Sequence, residues 1–276
     1  MLQRLFLFLH LLRSLIDYPL RQLFRWRRKG LQIINEDKAS LYNHLAEPSR
    51  SQAEAAASRL REAYHLEPLY STSTRDNYQE NLYYLAMLES AFSTVSPQFP
   101  EKLNAADIGP SHWFYVQALY AALKWWRCPA EREVTLTGFE RDAYRIYSDL
   151  YSRYDHALAH IGRLQGVTYI PVAFKVQPAS YHVVTQFFPF IFLSDHLKWG
   201  LPPAMFNPSA LLVAAWLSIK PGGLLIIVNQ GKAEHTAQLE HLRRANIPVQ
   251  AAFVFNSPLY HYNLPRFITI ACREHG

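Results

Sequence analysis

Two short apolar stretches decide the fold of this chain: LNAADIG at residues 103–109 and VTLTGFE at residues 134–140. Between them lies FYVQALYAALKWW, whose apolar residues recur at helical spacing. Three further strand-like runs follow: VTYIPVAF (167–174), YHVVTQFF (181–188) and GLLIIVN (223–229). Short apolar runs that alternate with helices are typical of an α/β domain with a mostly parallel sheet.

The two ends of the chain complete this prediction. VQAAFVFNS (249–257) and RFITIACR (266–273) indicate a C-terminal β-hairpin at one edge of the sheet. Residues 1–100 contain helical patterns but no comparable series of strands. We therefore predict a helical N-terminal extension over 1–100 and a Rossmann-like α/β domain over 101–276, with residues 1–30 as a separate basic amphipathic segment.

Two further helices are predicted between the strands. DAYRIYSDLYSRYDHALAHI (142–161) has four tyrosines at helical spacing, and we expect that stripe to pack on the sheet. PSALLVAAWLSI (208–219) has Asn207 in front as the N-cap and Pro208 in the first helical position.

Composition excludes several classes of protein. The chain has 276 residues, of which 50% are hydrophobic and 18% charged, so intrinsic disorder is excluded for most of it. Two distant cysteines, Cys128 and Cys272, provide no disulfide framework and no four-cysteine zinc site. A reducing, cytoplasmic compartment is expected. The histidines are scattered, and their spacing indicates no metal site.

The net charge of +6 is confined to the N-terminus. Residues 1–30 hold seven Arg and Lys residues against Asp17 alone, so the rest of the chain is neutral. Such a body has no overall electrostatic footprint for nucleic acid, and we expect no nucleic-acid partner.

The N-terminal segment mixes leucine and phenylalanine with basic residues and has no apolar stretch long enough to span a bilayer. We predict two amphipathic helical pieces that separate near Pro19. One interpretation is a peripheral anchor on an anionic membrane, at the inner membrane face. The alternative is a helix packed on the protein itself or on a second subunit of a homo-oligomer.

Four features in order resemble the class I S-adenosylmethionine-dependent methyltransferases. They are Asp107-Ile108-Gly109 at the end of the first strand, Gly138-Phe139-Glu140 at the end of the second, the run SIKPGG (218–223) before the fifth, and the closing hairpin. The resemblance covers about residues 103–273. It implies S-adenosylmethionine as the cofactor and methyl transfer as the activity.

The resemblance also implies a cofactor site made by Asp107, Gly109, Ser111 and Glu140. A glycine after a central strand lets the backbone approach a ligand closely, and a carboxylate after the second strand can accept hydrogen bonds from ribose hydroxyls. The loop departs from the family pattern because Ser111 and Trp113 occupy two glycine positions. The alternative is a helix-entry turn in which Ser111 caps the helix and Trp113 packs. After the third strand, the acidic residue that commonly contacts adenine is absent.

Candidate acceptor residues follow the fourth and fifth strands. Asp195 and His196 are a candidate acid/base pair, since histidine titrates near neutrality. Gln186, Asn229 and Gln230 could orient an acceptor through their amides. Each could instead belong to a loop or helix turn.

No motif for another chemistry competes, because the chain contains neither a P-loop, GxSxG, HExxH nor GxGxxG. The sequence thus predicts methyl transfer from S-adenosylmethionine to a small-molecule or lipid-like acceptor. The alternative is a non-catalytic Rossmann-like module, associated with a membrane, that binds a ligand or partner.

Overall fold

The computed structural model describes residues 2–128 and 131–274, with the side chains of residues 7 onward. Four helices come first: α1 (Leu2–Phe24), α2 (Ser49–Ala63), α3 (Glu67–Thr72) and α4 (Arg75–Val95). The remaining elements in chain order are β1 (Lys102–Ile108), α5 (Val116–Trp125), β2 (Glu133–Phe139), α6 (Arg153–Ile161), β3 (Val167–Ile170), β4 (Tyr181–Phe187), α7 (Leu193–Lys198), α8 (Pro208–Leu217), β5 (Ile219–Gln230), α9 (Gly231–Arg244), β6 (Ala251–Phe255) and β7 (Arg266–Cys272).

The seven strands form one sheet in the order β3-β2-β1-β4-β5-β7-β6. The five strands from β3 to β5 in that order are parallel, and β7 pairs antiparallel with both β5 and β6. The predicted Rossmann-like fold with a C-terminal hairpin is therefore confirmed. Strand order reverses between β1 and β4, and open α/β sheets bind ligands in the crevice at such a point.

Helices cover both faces of the sheet. One face packs against α4 and α5 through residues such as Leu85, Leu119 and Leu123, and the other packs against α8 and α9 through Leu212 and Leu242. The predicted N-cap of α8 is confirmed, since the Asn207 side chain accepts a hydrogen bond from the Ala210 amide at 3.0 Å.

The start of α5 depends on α4. No side chain of α5's own N-terminal turn caps it; instead Asn81 of α4 accepts from the Ala118 amide at 2.9 Å and donates to the Phe114 carbonyl at 2.9 Å. This buried amide satisfies groups that a helix N-terminus otherwise leaves unpaired. The helical extension is thus joined to the sheet layer by hydrogen bonds as well as by apolar packing.

The N-terminal segment differs from its prediction. It forms one helix, α1, that continues through Pro19 instead of two pieces. Pro19 lies on the exposed side of α1, so the carbonyl it leaves without a helical partner is not enclosed in the protein core. Among the described helices, none combines the length and apolar character needed to cross a bilayer.

Polar contacts hold α1 and the residues after it to the protein. Arg21 Nε lies 3.0 Å from Asp142 Oδ1, and its terminal nitrogen donates to the Gly200 carbonyl. Trp26 Nε1 donates to the Leu150 carbonyl, and the Arg28 amide donates to Asp155. One side of the segment is therefore packed on the chain's own body.

The predicted helix over 142–161 is wrong in its first half. Only α6 (Arg153–Ile161) is helical there, because Ser152 and Asp155 form a capping box that starts a new helix. The tyrosines consequently form no stripe on the sheet. Tyr147 contacts His112, whereas Tyr151 and Tyr154 lie under the guanidinium groups of Arg28 and Arg27.

We expect Arg21→Ala to loosen α1. The substitution removes a charge-assisted hydrogen bond to the buried Asp142 and should lower the free energy of unfolding by about 1.5–3 kcal/mol. Limited trypsin digestion should then cut the basic run at residues 25–29 faster, and urea denaturation gives the stability.

The matched control is Arg13→Ala, whose side chain is 69% exposed and pairs only with Asp17 one turn away. That change should cost less than about 0.5 kcal/mol. Equal losses in the two variants would contradict the docking of α1 through Arg21.

Candidate functional site

A cavity of about 650 Å³ opens at the carboxyl ends of β1, β2, β4 and β5. It lies at the reversal of strand order, and its size is that of a small-molecule site. The segment at 188–206, which includes α7, covers one side of it. Apolar residues dominate the lining and include Ile108, Phe139, Phe174, Phe188, Phe190, Ile191, Met205, Phe206 and Leu211.

The loop after β1 keeps the backbone geometry of a glycine-rich loop. Gly109, Ser111 and Trp113 have φ angles of +73°, +56° and +54°. Such left-handed values favour glycine and are uncommon for other residues. No heavy atom lies within 4 Å of the point where a Cβ would stand on Gly109, so the space above this residue is open to a ligand. Strained backbone of this kind is concentrated at functional sites in proteins.

Asp107 organises this loop from below. Its carboxylate accepts hydrogen bonds from Trp113 Nε1 at 2.7 Å, from the Tyr115 hydroxyl at 2.9 Å and from Thr185 Oγ1 at 2.7 Å. It is fully buried and is not among the cavity-lining residues. Burial raises its pKa to about 6, against the effect of the three donors. In this structure Asp107 therefore positions the loop and does not face the cavity.

Trp113 packs under the loop and leaves the cavity open. Its indole ring is fully buried against Gly138, where a Cβ would come within 2.8 Å of the ring. The packed alternative for Trp113 is thus the one observed. The alternative role for Ser111 is not observed, since α5 begins at Val116 and has no side-chain cap.

Glu140 lies at the end of β2 and joins two loops. One carboxylate oxygen accepts from the Ser111 amide at 2.8 Å, and the other accepts from the Asp142 amide at 2.7 Å. A carboxylate can accept about four hydrogen bonds, so two amides leave capacity for a ligand. Burial raises the pKa of Glu140, and the nearby Arg153 opposes that effect. Gly109, Ser111 and Glu140 all line the cavity.

Arg153 is a cavity residue that the sequence analysis missed. Its guanidinium lies 3.3 Å from Asp142 and 4.0 Å from Glu140 and is almost completely buried. Nε and one terminal nitrogen have no hydrogen-bond partner among the described residues. Buried donors without partners are costly, so these atoms are suited to an anionic ligand group. Only the capping box at Ser152-Asp155 could have signalled that Arg153 starts a helix.

The predicted acceptor amides occupy neighbouring strand ends. Gln186 and Gln230 line the cavity, and the Nε2 atom of the buried Gln186 has no partner among the described residues. Asn229 is fully buried and lies outside the lining set, yet both atoms of its amide lack a described partner. Gln186 and Asn229 thus have buried polar atoms that the described residues do not satisfy.

Asp195 and His196 both line the cavity but interact with different partners. Asp195 pairs with Lys198 at 2.9 Å, whereas His196 Nε2 lies 3.0 Å from the Pro202 carbonyl. Adjacent residues of a helix do not face each other, which explains the divergence. Because a carbonyl can only accept, Nε2 carries the proton, and Nδ1 of neutral His196 is the basic atom. Burial lowers the pKa of His196 and favours this neutral form.

The region after β3 provides apolar surface in place of a carboxylate. Ala173 and Phe174 line the cavity, and the Phe174 ring meets Phe139 edge to face with centroids 5.2 Å apart. These side chains can contact a flat aromatic ring without hydrogen bonds.

Comparison with known proteins gives structural likenesses alone. No protein-family model and no curated protein matches the chain. A SAM-dependent methyltransferase from Aquifex aeolicus is 12% identical, with 79% of this chain and 97% of that chain covered and a TM-score of 0.47. An S-adenosylmethionine-dependent methyltransferase from Mesorhizobium loti is 11% identical, with coverage of 68% and 100% and a TM-score of 0.43.

A geranyl diphosphate methyltransferase solved with GPP and sinefungin is 9% identical, with 68% of this chain and 78% of that chain covered and a TM-score of 0.45. Likenesses this distant carry no argument about activity, which depends on the residues of the cavity.

We expect the buried carboxyl of Asp107 to make stability depend on pH. Its pKa of about 6 exceeds the value of about 3.9 in an unfolded chain, so the folded protein binds more protons between these values. Its contribution to stability is therefore complete below about pH 4 and is lost as the pH rises through 6. Asp107→Asn lacks this component and should gain about 2 kcal/mol relative to the unchanged protein between pH 4 and pH 7.

Urea unfolding of both proteins at pH 4 and pH 7 measures this difference. The exposed Asp37→Asn is the control and should show no such gain. A difference between the Asp107 variant and the unchanged protein that is the same at both pH values would contradict the assignment.

Proposed function

We propose that this protein transfers a methyl group from S-adenosylmethionine to a small or lipid-like acceptor. One observation carries the proposal. The loop after β1 holds Gly109, Ser111 and Trp113 in left-handed conformations beside Glu140, under open space at the reversal of strand order. Close approach of a ligand to this backbone explains why such a costly loop conformation is maintained.

The residues present fit the cofactor. Glu140 has unused acceptor capacity for ribose hydroxyls, and the open face of Gly109 admits the adjacent part of the ligand. The unpaired nitrogens of Arg153 could donate to a carboxylate of the amino-acid portion. Phe139 and Phe174 offer apolar surface to the base.

The acceptor would occupy the side of the cavity bounded by β4, β5 and α7. The rings of Phe188, Phe190 and Phe206 favour an apolar body, while the unpaired Gln186 amide favours one polar group on it. This combination supports a small-molecule or lipid-like acceptor. It does not resemble the charged, open surface that nucleic acid requires.

Bound S-adenosylmethionine would supply a sulfonium methyl group for a nucleophilic atom of the acceptor. The chain contributes by positioning, since in-line transfer depends mainly on alignment of the two reactants. His196 Nδ1 could take a proton from an acceptor hydroxyl, because Nε2 is held by the Pro202 carbonyl. Asp195 would take no part in this proton transfer, because its carboxylate pairs with Lys198.

Titration calorimetry with S-adenosylmethionine and with S-adenosylhomocysteine tests the proposal. Glu140→Gln should weaken binding about tenfold to a hundredfold, since hydrogen bonds to a charged group are worth about 1.5–3 kcal/mol. Gly109→Val should abolish binding by filling the open space above the loop. Circular dichroism checks that both variants are folded.

Glu133→Ala is the matched control, because Glu133 is an exposed carboxylate at the opposite end of the same strand. Its affinity should equal that of the unchanged protein. If the unchanged protein releases no heat with millimolar cofactor, methyl transfer is wrong, and the cavity belongs to a non-catalytic binding module.

A further inference from the structure

The helix α1 is amphipathic, but its polar side faces the protein and its apolar side faces outward. Its side chains that face the protein are mostly polar and include the buried Ser14 and the half-buried Tyr18, Arg21 and Gln22, with Leu7 and Leu11 as half-buried apolar residues. Its outward side carries eight large apolar residues that are between 44% and 75% exposed: Phe8, Leu9, Leu12, Leu15, Ile16, Leu20, Leu23 and Phe24. A helix that packs on a globular body normally buries its apolar side.

This outward side, which we call the α1 apolar face, is continuous along the helix. Its residues recur every three or four positions, so they form one stripe along a helix of 23 residues. At 1.5 Å per residue the helix is about 35 Å long. Scattered exposed apolar residues need no explanation, but a contiguous stripe of this size indicates an interaction surface.

The position of α1 is fixed by polar contacts, so the exposure is not a consequence of a detached helix. Arg21 pairs with the buried Asp142, and Trp26 and Arg28 are hydrogen-bonded to the segment that precedes and begins α6. Rotating α1 to bury its apolar face would remove Arg21 from Asp142. The apolar face is therefore held outward by the same contacts that hold the helix.

The positive charge next to the α1 apolar face indicates which kind of partner covers it. Arg25, Arg27, Arg28 and Lys29 follow α1 directly, and all four are exposed. Residues 1–30 carry the whole net charge of the chain, +6. A second copy seated parallel on the apolar face would bring two such segments together, and like charges repel, whereas an antiparallel copy would provide neither segment with an opposite charge. An anionic lipid surface offers apolar depth and opposite charge at once.

We propose that the α1 apolar face docks on an anionic membrane, with the helix lying in the plane of the interface. Leu20, Phe24 and Trp26 line a shallow groove whose opposite wall is Lys198 and Trp199 of the α7 region, and these last two residues also line the cavity. Docking therefore holds one wall of the cavity close to the lipid surface. This holds whether or not methyl transfer is the activity of the cavity.

Vesicle co-sedimentation of the full chain tests the proposal. The probes are vesicles of phosphatidylcholine with 30% phosphatidylserine, as a chosen composition of roughly physiological charge, and vesicles of phosphatidylcholine alone. We expect binding to the anionic vesicles that weakens as salt is raised, and much weaker binding to the neutral ones. Binding that is equal for both vesicles and independent of salt would overturn the anionic assignment.

Two double variants distinguish vesicle binding through the α1 apolar face from nonspecific binding through other exposed apolar residues. Ile16→Gln with Leu23→Gln removes apolar area from exposed positions, keeps the charge and should weaken vesicle binding about tenfold or more. Ile34→Gln with Leu264→Gln changes two exposed apolar residues outside α1 and should leave binding unchanged. Equal effects of the two pairs, or no sedimentation of the unchanged protein, would overturn the proposal.

Analytical ultracentrifugation without lipid tests whether a second copy of the chain covers the α1 apolar face. We expect the unchanged protein and the α1 variant to sediment as the same species. A dimer that the Ile16 and Leu23 substitutions dissociate would mean that a second copy covers the face, and the membrane proposal would be wrong.

Discussion

One buried carboxylate, that of Asp107, determines the geometry on which the rest of this structure depends. It lies at the end of the central strand and receives three hydrogen bonds, two from the loop and helix entry that follow and one from the adjacent strand β4. An unpartnered charge in this position would be strongly destabilising. The donors reduce that cost only if Trp113, Tyr115 and Thr185 remain in place, so the loop, strand β4 and the carboxylate stabilise one another.

The side of the same loop that faces away from Asp107 lines the cavity. The Ser111 amide points to Glu140, and Glu140 in turn orients the Asp142 amide. Asp142 then pairs with Arg153 and with Arg21 of α1. These contacts join the N-terminal helix to the predicted cofactor residues through one continuous series of hydrogen bonds and ion pairs. The contacts that hold α1 and the contacts that line the cavity therefore share residues such as Asp142, although α1 and the cavity are different surfaces of the protein.

The sheet could be predicted from sequence because strand formation here follows local patterns. Each central strand is a short apolar run bounded by turn residues, and buried parallel strands require that composition. The predicted helix over 142–161 was wrong for the opposite reason. Its tyrosine spacing fits a helix, but Ser152 and Asp155 start a shorter one. Contacts with His112, Arg27 and Arg28 hold three of the tyrosines away from the expected stripe. The predicted break at Pro19 was wrong: α1 continues through this proline, and the carbonyl left without a helical partner lies on the exposed side of the helix.

The site residues likewise divide into those that a sequence pattern predicts and those that depend on the folded structure. Gly109, Ser111, Glu140, Gln186, Gln230, Asp195 and His196 were predicted from the family resemblance or from their places at or beyond strand ends, and all line one cavity. Arg153 could not be predicted, since its importance comes from burial beside Glu140 and Asp142, which no local pattern reveals. Asp107 was predicted as a cofactor residue but does not line the cavity, because it lies beneath the loop and accepts hydrogen bonds from Trp113, Tyr115 and Thr185.

The most direct measurement is a crystal structure of the full chain with S-adenosylhomocysteine. We expect the ribose hydroxyls within hydrogen-bond distance of the Glu140 carboxylate, the ligand against Gly109, and the loop still hydrogen-bonded to Asp107 through Trp113. Ligand bound elsewhere on the molecule, or a cavity that excludes it because the loop lies differently, would contradict the central claim.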